Sequence, residues 1–168
     1  MKLLVVRHAL AGDREEWARQ GKDDRKRPLT AEGRRKMREA ARGLAALSEA
    51  PEVLATSPLV RARDTAAILA RAFRVEEVEE LSALSPQEPP QALLAWLRAR
   101  ARDELAAVVG HEPHLGMLVS WLLSGRPRSF LELKKGGACL LDLGARPGPG
   151  RASLLWLLPP SALRLLGR

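Results

Sequence analysis

KLLVVRHALAGD, Lys2 through Asp13, decides how the rest of the chain is read. Leu3 to Arg7 reads as a strand, and it delivers an arginine and a histidine side by side into a loop. The run alternates too little for a strand with one wet face, which predicts burial on both faces. A strand buried on both faces belongs to a parallel sheet sandwiched between helices.

The same pattern recurs along the chain. EVLATS (52–57) and ELAAVVG (104–110) read as two more buried strands, and VEEVEEL (75–81) as an edge strand. Between them lie helical patterns. Thr30 caps the first, with Glu32 in its first turn and Met37, Ala40, Ala41, Leu44 and Leu47 at three- and four-residue spacing. PLVRARDTAAILARAF (58–73) starts on a proline, a third helix covers about 89–102, and PHLGMLVSWLLSG (113–125) closes on Gly125. Residues 8–29 read as a long polar loop, and long loops in compact domains tend to be functional. ACLLDL (138–143) and ASLLWLL (152–158), joined by a Gly/Pro stretch, suggest a terminal hairpin. The expectation is an α/β fold: one domain over residues 1–168, three layers (α/β/α), a mostly parallel central sheet and an antiparallel C-terminal strand region.

Composition narrows the function classes. The 168 residues contain 46% hydrophobic residues, and runs such as LLWLL (154–158) fall well short of the ~20 a membrane-spanning helix needs. No signal peptide is read at the N-terminus, and the single Cys139 leans towards a cytoplasmic chain. The net charge of +8 suits nucleic acid, an anionic surface or phosphorylated substrates. The basic residues are dispersed, and KDDRKR (22–27), the one cluster, contains two aspartates. Aromatic residues are only 4% of the chain, too few for the stacking platforms of nucleic-acid binders, so nucleic acid is not expected.

In a parallel sheet, ligands bind beyond the carboxyl ends of the strands. Three strands end at Arg7-His8, at Thr56-Ser57-Pro58 and at Gly110-His111. Arg61 follows in the first turn of its helix, where a guanidinium opposes the dipole unless an anion sits there too. Gly110 lets the chain turn sharply and present His111. Two histidines and two arginines meeting at one sheet edge fit phosphoryl transfer through a covalent phosphohistidine. His8 is the nucleophile through a ring lone pair, Arg7 and Arg61 hold the phosphoryl oxygens, and His111 adds a proton as a cation or a hydrogen-bond donor. The positive side chains supply the field, so neither metal nor cofactor is expected, and inorganic phosphate is the product.

VVRHA, TSPLVRARDTA and VVGHEPHLG together resemble the histidine phosphatase superfamily, whose members include cofactor-dependent phosphoglycerate mutase. Order, spacing and length are most similar to the small bacterial phosphohistidine phosphatases of the SixA type, as are RPLTAEG (27–33) and SALSP (82–86). The resemblance implies a phosphate pocket of Arg7, His8, Arg61 and His111, with His8 phosphorylated in turnover. Two departures stand out. Ala9 replaces the family's glycine, and no general acid sits in a matching motif; Glu80, Glu88 and Glu112 are the candidate proton donors. A site without a strong acid favours P–N bonds, because imidazole, with a pKa near ~6.5, leaves easily. The expected partner is then a phosphorylated protein of the histidine phosphotransfer type. The alternatives are a small phosphate ester, such as a sugar phosphate or nucleotide, and a non-catalytic phosphate-binding module. Cys139 and Arg146 are one residue too far apart for a C-x5-R loop, and His114 is expected at the site's rim rather than as a metal ligand with His111.

Overall fold

The computed structural model describes residues 1–126 and 128–168. Its strands are β1 (Lys2–Arg7), β2 (Val53–Thr56), β3 (Val78–Glu80), β4 (Leu105–Gly110), β5 (Ala138–Asp142) and β6 (Ser153–Leu158). Its helices are α1 (Arg14–Arg19), α2 (Ala31–Leu47), α3 (Val60–Phe73), α4 (Leu94–Ala99), α5 (His114–Ser124) and α6 (Pro160–Leu166). The described strands form one sheet in the order β3-β2-β4-β1-β5-β6. The β3-β2, β2-β4 and β4-β1 pairs are parallel, while β1-β5 and β5-β6 are antiparallel.

Strand geometry divides the core in two, because successive side chains point to opposite faces. Leu4, Val6, Leu54, Ala107 and Val109 pack under α2, α3 and α6. Leu3, Val5, Ala55, Ala106 and Val108 pack under α4, α5 and the 82–93 segment. Burial on both faces, expected for the first strand, follows from this sandwich: Leu3 through Val6 are all fully buried.

Registers set the site. Arg7 pairs with Gly110 and Thr56 with Val109, so the three central strands end level at one edge. Thr30 caps α2 as expected, its hydroxyl accepting from the Gly33 amide at 2.9 Å.

Four local expectations need correction. Residues 8–29 are not a bare loop: α1 and a 3-10 turn at Asp24–Lys26 form there, capped by the carboxylates of Asp13 and Asp23. The helix expected over 58–73 begins at Val60, with Ser57 Oγ accepting from the Leu59 amide at 3.3 Å. The span 89–102 holds a 3-10 turn, Pro90–Leu93, that runs into the short α4. The unanticipated α6 lies across α2, with Leu163 buried against it.

That crossing is close because Gly43 lacks a side chain. A Cβ there would fall inside contact distance of the Leu163 carbonyl and crowd Gly167. In an open helix Gly→Ala stabilises, whereas here it displaces α6. Gly43→Ala is expected to cost ~1–3 kcal/mol in urea unfolding, the range of overpacked sites; a stabilised variant would contradict the packing described.

Candidate active site

The β1 end supplies two groups. The His8 amide donates to the Gly110 carbonyl at 3.0 Å, continuing the β1–β4 pairing one residue past the strand. His8 Nδ1 lies 2.7 Å from the Ala9 carbonyl. A carbonyl only accepts, so Nδ1 carries the proton and the lone pair is on Nε2. The Ala9 amide in turn donates to Thr65 Oγ1 at 3.1 Å, and that hydroxyl donates to the Arg61 carbonyl at 2.7 Å. β1 and α3 are thereby locked together at the site. Among described non-glycine residues only Arg74 has positive φ, so Ala9 stands without strain where the superfamily the sequence resembles has glycine.

The β4 end brings His111 to His8, their ring centroids 5.1 Å apart. His111 Nε2 is 2.8 Å from Ser57 Oγ, which stands at the β2 end. Among the described residues Nε2 is the acceptor within reach of the Ser57 hydroxyl, so its hydrogen is assigned to Nε2. The His111 proton then sits on Nδ1, a buried atom with no partner among the described residues.

Both rings are neutral. Burial lowers the His8 pKa to about 3; the hydrogen bond to Ala9 opposes this, and the charges of Arg61, Arg7 and Arg27 add to it. Burial, then His8 and Arg61, lower His111 to about 2. Of the two forms expected for His111, cation or neutral donor, burial selects the neutral donor.

The guanidinium groups stand around these rings. Arg7 Nη1 donates to the Leu133 carbonyl at 2.6 Å and to Glu132 at 3.2 Å, while its buried Nε has no partner among the described residues. Arg61, only 5% exposed, donates through Nη1 to the Asp24 carbonyl at 2.8 Å and through Nη2 to the Asp24 carboxylate at 3.0 Å. Its Nε is likewise buried and unpartnered. The anion that the dipole argument required beside Arg61 is thus met in part by the protein itself.

Arg27 completes the group and was missed in the sequence. It is buried, with Nε 2.8 Å from Asp24 Oδ1 and Nη1 2.7 Å from the Gly12 carbonyl, and its charge reaches His8. The signal was present: RPLT closes the polar segment just before α2. Asp24, Ser57 and Thr65 were also not assigned. Burial works against the Asp24 charge, but the Arg27 hydrogen bond and the charges of Arg61 and Arg27 hold its carboxyl below the ordinary range.

The candidate proton donors fall elsewhere. Glu80 pairs with Arg63 at 3.1 Å and lines a surface groove with Val78 and Ala67, a lining that includes neither histidine of the pair. Glu88 is exposed. Glu112 accepts from the Leu133 amide at 2.9 Å and the Gly116 amide at 3.2 Å, so both its oxygens are engaged. His114 is not a rim residue: it is fully buried at the start of the apolar α5, with neither ring nitrogen bonded to a described partner. Cys139 is buried in β5, and burial pushes its thiol up to about 12. No described His, Cys, Asp and Glu residues group as a metal site, and no described helix is long and apolar enough to cross a membrane.

Comparison with known proteins bears on this geometry. The model of the histidine phosphatase superfamily (branch 1) matches residues 3–86, the segment containing Arg7, His8, Arg27 and Arg61. An uncharacterized protein of Picosynechococcus sp. is 35% identical over 173 residues, spanning 95% of this chain and 100% of that protein. The fold is similar to the protein histidine phosphatase SixA complexed with tungstate, at TM-score 0.83 and 24% identity over 97% of this chain and 99% of that one. It is also similar to the α-ribazole phosphatase from Shigella flexneri, at TM-score 0.69 and 17% identity over 95% and 97% of the two chains.

The depressed histidine pKa values carry a sign. Between about pH 6.5 and about pH 3 an unfolded histidine binds a proton that folded His8 and His111 do not, so stability rises with pH there and falls on acidification. Thermal unfolding should show Tm falling from about pH 7 to about pH 5, with a flatter slope in His8→Asn. An unchanged slope in the variant would contradict the burial of a neutral His8.

Proposed function

The chain belongs to branch 1 of the histidine phosphatase superfamily, and from that premise we propose a phosphatase working through a phosphohistidine at His8, with phosphohistidine on a signalling protein as substrate. What carries this is the His8 ring. Its Nδ1–H is tied to the Ala9 carbonyl, which aims a neutral Nε2 lone pair away from the backbone.

In the proposed reaction Nε2 attacks phosphorus, a P–N bond to His8 forms, and the bond to the leaving group breaks. Arg7 and Arg61 offer their unpartnered Nε–H groups, and His111 its Nδ1–H, to the phosphoryl oxygens. Arg27 adds charge from behind Asp24. Water then attacks the phosphohistidine, releasing inorganic phosphate and returning His8 to its neutral form.

The leaving group decides the substrate class. Asp24 is held ionised by two arginines and has no proton to give; burial raises the Glu112 pKa, but its carboxyl is turned onto the Leu133 and Gly116 amides. An alkoxide needs a donor far more than an imidazole does, which supports the P–N substrate. A second reading, hydrolysis of small phosphate esters, draws on the fold shared with the Shigella α-ribazole phosphatase.

Two assays separate these readings. Wild-type protein should hydrolyse p-nitrophenyl phosphate, with kcat lowered at least ~10³-fold in His8→Ala and kcat/KM lowered ~10²-fold or more in Arg61→Ala. No turnover in the parent, with phosphate still bound, would instead favour the binding module. Against a panel of small esters, a phosphohistidine-bearing protein should give the highest kcat/KM. Esters turned over orders of magnitude faster would contradict the P–N preference.

A further inference from the structure

Resting on the reading that Arg7 grips the phosphoryl group, we infer that Glu112 is a positioning residue that sets Arg7 through the backbone of Leu133, and that Gly116 is glycine to make room for that carboxylate. The linkage is continuous. Glu112 Oε1 accepts from the Leu133 amide at 2.9 Å, and the Leu133 carbonyl accepts from Arg7 Nη1 at 2.6 Å. Glu112 Oε2 accepts from the Gly116 amide at 3.2 Å, anchoring the same carboxylate to the first turn of α5.

Space is as tight as the bonding. A Cβ on Gly116 would sit 2.7 Å from Glu112 Oε2, 2.7 Å from the Leu131 carbonyl and 2.7 Å from Ser129 Oγ. Segment 129–133 therefore lies directly on α5, pinned also by the Phe130 amide donating to Ser120 Oγ at 3.1 Å, and is braced internally by Ser129 Oγ donating to the Leu131 carbonyl at 2.6 Å. Leu133 itself is buried in the core.

Arg7 has one other holder, Glu132, whose side chain is 60% exposed and whose ion pair is correspondingly weakened by solvent. The Leu133 carbonyl is the rigid one. By occupying Nη1 it leaves the Nε–Nη2 edge of the guanidinium, the edge that can grip an oxyanion with two parallel bonds, without a described partner. Glu112 directly follows His111 in the chain, so one carboxylate ties the Arg7 anchor to the strand end that presents the second histidine.

A double-mutant cycle read by calorimetric binding of inorganic phosphate tests this, with Tm recorded for every variant. Glu112→Ala should weaken phosphate binding ~10-fold in the wild-type background and less than ~2-fold in an Arg7→Ala background, because both changes remove the same contact. Gly116→Ala should weaken binding in the same way, and Glu112→Gln, which keeps an acceptor for Leu133, should restore most of it. If Glu112→Ala fails to fold, the Gly116→Ala and Arg7→Ala pair gives the same cycle. Equal losses in both backgrounds, or no loss in the first, would overturn the inference. A parent that binds phosphate but hydrolyses nothing would sink the catalytic reading alone, whereas an additive cycle in an active enzyme would sink this one alone.

Discussion

The parallel pairing of β1 with β4 places everything else at the site. With Arg7 opposite Gly110, the next residue on each strand is a histidine, and the His8 amide is bonded back to the Gly110 carbonyl. Two imidazoles are thereby brought within 5.1 Å, both buried and both beside guanidinium groups. Neither ring can hold a proton there at neutral pH, because burial and the neighbouring cations both disfavour it. A one-residue slip would turn every core side chain of β1 to the opposite face. The two apolar cores thus enforce the same register that the chemistry requires.

Charge is balanced by an unusual means. Buried arginines need partners, and Asp24 serves two of them, spanning Arg61 and Arg27 from a 3-10 turn in the polar segment after β1. It leaves the Nε of Arg61 without a described partner, as the Leu133 carbonyl leaves the Nε of Arg7. The partners hold the guanidinium groups in place and leave the Nε–H of each for the anion of the proposed reaction. In the proposed reaction, fixed N–H donors around a neutral His8 leave little to reorganise when a phosphoryl group arrives.

The strands were legible in the sequence because they are short, apolar and closed by residues of a different character. Their ends in turn exposed Arg7, His8, Arg61 and His111. What escaped depends on side-chain partners distant in sequence: the Arg61–Asp24 pair spans 37 residues, and no periodicity announces it. The turns at α1 and at Asp24–Lys26 were hidden because single aspartates cap segments only 6 and 3 residues long. α6 starts on Pro160, directly after Pro159, and was passed over, although proline suits a helix start. His114 was misplaced because its spacing from His111 suggested a shared outlook, whereas the first turn of α5 carries it inward.

The central claim is that His8 Nε2 forms a covalent bond to phosphorus. The most direct measurement quenches the working enzyme in alkali, isolates the phosphoenzyme and assigns the modified atom by NMR of ¹⁵N-histidine-labelled protein. The account predicts an alkali-stable, acid-labile phosphoryl group on Nε2 of His8. A phosphoryl group on Nδ1, on Ser57 or on any other residue, or turnover with no phosphoenzyme formed, would contradict it.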